Sequence, residues 1–61
     1  MTAEEFTQWR ERLGLNRLEA SKALGIGRNQ PKRYEDEGQE IPRYIALACA
    51  AIAMGVPPVG G

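Results

Sequence analysis

Between Arg28 and Arg33 the chain reads Arg-Asn-Gln-Pro-Lys-Arg. Arg28 can donate two parallel hydrogen bonds to a guanine edge, and Asn29 or Gln30 can pair bidentately with adenine. Each such pair carries about 1–3 kcal/mol of discrimination between bases. Arg33, with Arg17 and Lys22 upstream, supplies the charge for phosphate contacts, which are salt-sensitive and blind to sequence. The chemistry these residues point to is recognition of double-stranded DNA.

Other chemistries find no support in the sequence. It contains no histidine, and Ser21, its one serine, has nothing to activate it as a nucleophile. No acid–base pair, metal cluster or phosphate loop is visible, so neither catalytic nor metal-ligating residues are expected, nor a cofactor or small-molecule substrate. The single cysteine, Cys49, has no partner for an internal disulfide and lies among apolar residues, where a small buried side chain is expected. No secretion signal opens the chain, so a reducing, cytoplasmic setting is the expectation.

Net charge is zero, but it is unevenly spread. Residues 8–33 hold Arg10, Arg12, Arg17, Lys22, Arg28, Lys32 and Arg33 against Glu11 and Glu19, a net +5. Residues 1–7 carry −2, and residues 34–61, with Glu35, Asp36, Glu37 and Glu40 against Arg43, carry −3. The positive charge therefore falls on the segment with the base-reading groups, as phosphate contact requires.

The elements that position these groups read as an all-α compact bundle of four or five short helices. Thr2 caps the first, with Glu4 and Glu5 in its first turn, where the helix dipole favours them. Phe6, Trp9 and Leu13 line one face of it, and Gly14 ends it. Asn16 caps a second helix reaching about Leu24, with Ala20, Ala23 and Leu24 inward and Ser21 at a close helix–helix approach. Gly25 supplies a positive φ, and Ile26 plugs the space between helices. The third helix spans about residues 28–37 and stops at Gly38. Pro31 would remove the first internal hydrogen bond of a helix capped at Gly27, so it argues for a start nearer Gln30. Tyr34 is expected to pack its ring inward with its hydroxyl at the surface. The second and third helices with their glycine turn form a helix-turn-helix, which presents its second helix to the major groove.

Ile41-Pro42 opens a fourth helix, and no charged residue occurs from Tyr44 to Met54. Ile45, Ala48, Cys49 and Ile52 make one apolar face, and Leu47, Ala51 and Met54 another. A helix apolar on all sides needs cover on more than one. The expectation is a homodimer contact through Leu47, Ala51 and Met54; the run is too short to span a bilayer. Residues 1–54 then form the DNA-binding domain, and 55–61 a flexible tail rich in proline and glycine.

Three segments in this order carry a resemblance: Leu24-Gly25-Ile26, Arg33-Tyr34-Glu35, and Ile41-Pro42-Arg43-Tyr44 leading into Leu47-Ala48. On them the chain resembles the lambda-repressor-like, Cro-type (XRE-like) helix-turn-helix family of phage and bacterial regulators, over about residues 3–54. The resemblance implies operator binding, commonly as a dimer, and control of transcription. It places Arg17 where the family usually has a phosphate-touching glutamine, and Arg28, Asn29, Gln30 and Lys32 at positions that reach bases or nearby phosphates. Arg33 looks like a phosphate contact, and Glu35 like a structural residue paired with a basic neighbour. Pro31 stands in place of a buried branched residue and Gly27 in place of a serine or threonine cap. Ala20 replaces a leucine and Ser21 an alanine, while Asp36-Glu37 adds acid at the end of the helix.

The function expected is a small phage- or prophage-type repressor, since the chain shows no ligand domain or activation segment. The alternative is a protein-interaction module, or an antitoxin-like partner protein, that keeps the fold with little or no DNA reading. The zero net charge, the acidic run and Pro31 all favour that alternative.

Overall fold

The computed structural model of the chain describes residues 1–60; Gly61, the last residue of the expected tail, lies outside the described residues. Four helices and no strands occur among the described residues: α1 (Ala3–Arg12), α2 (Arg17–Leu24), α3 (Gln30–Asp36) and α4 (Arg43–Ala53).

Reciprocal capping fixes where α1 and α2 begin. Thr2 Oγ1 accepts from the Glu5 amide at 3.1 Å, and Glu5 Oε1 accepts from the Thr2 amide at 2.7 Å. Asn16 and Glu19 repeat the arrangement at 2.8 and 2.9 Å. Each box satisfies two amides that the first turn leaves without helical partners. At the far end of α2, Gly25 turns the chain at φ 70°. The Ile26 amide then reaches back to the Ser21 carbonyl at 3.0 Å, closing the helix. A side chain at Gly25 would strain this backbone.

Pro31 shapes the start of α3. Gly27 uses its carbonyl in a turn, accepting from the Gln30 amide at 3.0 Å. The first full helical bond runs from the Arg33 amide to the Asn29 carbonyl at 3.2 Å. Pro31 therefore falls at the second helical position, where a missing N–H costs no helical bond. The helix begins at Gln30, as the proline argued, and Arg28 and Asn29 form its lead-in.

An aromatic group holds the helices together. The Phe6 ring lies 5.4 Å from Trp9 and 5.5 Å from Tyr34, the latter edge-on. Trp9 Nε1 donates to the Cys49 carbonyl at 2.8 Å, tying α1 to α4 inside the core. Ala20, Ile41, Ile45 and Cys49 complete the buried set, with Leu15, Leu24, Ile26 and Ile52 half-buried around it. Tyr34 is buried; its hydroxyl escapes being a stranded polar atom because it keeps an edge on solvent. Ser21 is buried too, and its hydroxyl donates to the Leu18 carbonyl at 2.6 Å.

Two apolar residues expected inside lie outside. Leu13 is exposed because it sits at the cap of α1, where the helical periodicity that would carry it inward has ended. On α2 the inward face is Ala20, Ser21 and, half-buried, Leu24, which leaves Ala23 on the solvent side.

Candidate nucleic-acid interface

Helix α3 turns one face in and one out. Pro31 and Tyr34 are buried, while Asn29, Lys32, Arg33 and Asp36, spaced i, i+3, i+4 and i+7, are exposed. Arg28 is exposed just before this face. The structure thus brings Arg28, Asn29, Lys32 and Arg33 together on the outer side of α3 and its lead-in. Gln30 is drawn back: it is half-buried, and its Oε1 makes a long 3.5 Å contact with Arg33 Nη1. Lys22 is exposed in the last turn of α2, where the helix dipole favours a cation.

The basic residues of the expected DNA face, taken with Arg10, fall into two groups. Arg10 and Arg17 converge on the acidic end of α3. Arg10 grips Glu35 through two bonds, Nε to Oε2 at 2.8 Å and Nη2 to Oε1 at 3.2 Å. Arg10 Nη1 also donates to the Leu15 carbonyl at 3.1 Å. Arg17 donates from Nε to Glu35 Oε1 at 2.9 Å and from Nη2 to Asp36 Oδ1 at 3.0 Å. Lys22, Arg28, Lys32 and Arg33 have no carboxylate within ion-pair distance among the described residues. Their charge faces solvent uncompensated, while that of Arg10 and Arg17 is spent on holding three helices together.

Carboxylates at the C-terminal end of a helix oppose its dipole, so Glu35 and Asp36 need cations from outside α3. The Glu35 side chain is only 4% exposed. Burial alone would push its carboxyl up, but the hydrogen bonds and charges of Arg10 and Arg17 outweigh burial and hold it below the ordinary carboxylate value. Glu35 is therefore paired with basic side chains from two other helices, as the resemblance implies. Arg10 was not singled out in the sequence, although the acidic run at the end of a helix signals that arginines from other helices must answer it.

On α4, Ile45 and Cys49 face the core, while Leu47 and Met54 are 58% and 78% exposed and Ala51 is half-buried. Helix α1 does not cover this second apolar face. Burial pushes the Cys49 thiol up to about 11, which makes it an inert core group. No helix of the described residues is long and apolar enough to cross a membrane.

No protein-family model matches the chain, and no curated protein matches it. Among solved structures it is similar to the crystal structure of a putative DNA-binding protein from Nitrosomonas europaea, with a TM-score of 0.85 and 34% identity over 97% of this chain. The chain spans 38% of the length of that protein.

Proposed function

We propose that this chain is a sequence-specific double-stranded DNA-binding module of a transcriptional regulator, acting as a repressor of phage or prophage type. The observation that carries this reading is the division of the basic residues. Arg10 and Arg17 meet the carboxylates at the C-terminal end of α3, while Arg28, Lys32 and Arg33 lie with Asn29 on its outward face with no carboxylate in ion-pair distance. The Nitrosomonas europaea structure, with its DNA-binding designation, supports the same reading.

In this reading α3 and its lead-in enter the major groove. Arg28 and Asn29 meet base edges first, with Lys32 beside them and Gln30 reaching out from its half-buried place. Arg33 and Lys22 take phosphates, and Arg17, engaged by Glu35 and Asp36, stands in reserve as a phosphate donor at the foot of the same face. A second copy docked through Leu47, Ala51 and Met54 would set two reading helices about 34 Å apart and select a near-palindromic site.

Selection of binding sites from a random duplex pool tests the proposal. A single enriched motif, bound about 10³-fold or more tightly than random duplex at physiological salt, is the expected result. The bare apolar face of α4 favours a second reading, a module whose partner is a protein. A pool that yields no motif, with no binding to duplex at low salt, would select that reading instead.

A further inference from the structure

Asp36 is an acidic group on a face otherwise suited to phosphate. It shares the outward side of α3 with Asn29, Lys32 and Arg33 and is half exposed. Its Oδ1 takes the Nη2 donor of Arg17 at 3.0 Å, while Nε of Arg17 goes to Glu35. Nη1 of Arg17 has no hydrogen-bond partner among the described residues. The guanidinium that reaches Asp36 is thereby placed at the edge of the proposed reading face.

The two arginines of the network differ in how firmly they are held. Arg10 is 16% exposed and locked in a two-bonded fork with a buried carboxylate. Arg17 is 37% exposed, and its partner Asp36 stands in solvent, where an ion pair is weak and a phosphate can compete for the donor. One carboxylate therefore decides whether this guanidinium is spent on the protein or offered outward.

We propose that Asp36 is a positioning residue that restrains Arg17, holding its Nη2 on the protein and lowering the sequence-blind affinity for duplex phosphate. The proposal rests on the DNA-binding reading above. It makes Arg17 a reserve phosphate ligand whose strength is set by its neighbour on α3.

The test is fluorescence anisotropy with a labelled random-sequence duplex between 50 and 200 mM salt, on the wild type, Asp36→Asn, Arg17→Gln and the double variant. Each further phosphate neutralised by a side chain steepens the log–log salt dependence by about 0.9, so Asp36→Asn is expected to lose about 3.5-fold more affinity than wild type across this range. It should also bind more tightly than wild type at the low-salt end. Arg17→Gln should abolish the steepening, leaving the double variant with the slope of Arg17→Gln alone. If wild type binds and Asp36→Asn keeps its slope, the restraint is refuted while the DNA reading stands. Steepening that survives in the double variant refutes it too, because Arg17 is then not the mediator. Silence of all four proteins at 50 mM overturns the DNA reading and this inference with it.

Discussion

Arg10 and Glu35, twenty-five residues apart in sequence, meet in a two-bonded fork at 2.8 and 3.2 Å, with the carboxylate almost fully enclosed. The fork anchors α3 against α1, and Arg10 extends the anchor by also donating to Leu15 at the entry to α2. The helix that carries the proposed reading face is thus held from behind by charge as well as by the Phe6–Tyr34 contact.

Removing Arg10 leaves the enclosed Glu35 carboxylate with Arg17 alone, at a cost that is a large part of the roughly 3–5 kcal/mol of breaking a buried pair. A chain of this size has about 3–9 kcal/mol in total. Arg10→Met is therefore expected to be largely unfolded at room temperature or to melt far below the wild type. The double variant Arg10→Met/Glu35→Leu should recover much of the loss, because no lone charge remains. Urea denaturation followed by circular dichroism checks both.

Acid should weaken the fold through the same carboxylate. The Glu35 carboxyl titrates below its ordinary value of 4.5, so near that pH the unfolded chain binds the proton more readily than the folded one. The stability it contributes is complete above the ordinary carboxylate value and is lost as pH falls through the lowered one. Chemical denaturation at a series of pH values from 7 down to 3 should show stability flat at first and then falling below about 4.5. The Glu35 side-chain carboxyl resonance should titrate below 4.5 in the folded protein.

Substitutions on the outward face of α3 should separate binding from folding. Arg28→Ala and Asn29→Ala are each expected to cost about 1–3 kcal/mol of discrimination at one base position. Lys32→Ala is expected to do the same if it reaches a base edge, and Arg33→Ala to weaken binding to all sequences alike. All four residues are exposed, so thermal melts should move little. Binding to a selected site and its single-base variants provides the readout.

The apolar face of α4 makes a prediction about assembly. Leu47→Glu and Met54→Glu place charge on an exposed surface and should leave the isolated fold intact. If this face joins two copies, each variant should sediment as a monomer at concentrations where wild type dimerises, and should lose affinity for a palindromic site more than for a half-site.

Much of the fold was legible because local signals agreed with the tertiary outcome. Thr2 and Asn16 announce their helices by capping, Gly25 marks its turn, and Pro31 dictates that α3 starts at Gln30. Phe6 and Trp9 could be placed inside from their spacing. What the sequence did not disclose depends on packing between distant segments. Leu13 and Ala23 fit an apolar stripe on paper, but where a helix ends and which side its neighbours take decides their exposure. The candidate site divides in the same way. Arg28, Asn29, Lys32 and Arg33 could be named from residue type and position on a second helix. That Arg17 is engaged by Asp36 follows from side-chain geometry across the packed helices, and that Gln30 is half-buried follows from which side of α3 its neighbours take.

The most direct test of the central claim is an NMR titration of the labelled protein with random-sequence duplex, first at low and then at moderate salt. Shifts concentrated at Lys22, Arg28, Asn29, Lys32 and Arg33, fading as salt rises, are the predicted result. Silence on that face at low salt, or shifts confined to α4, would contradict it.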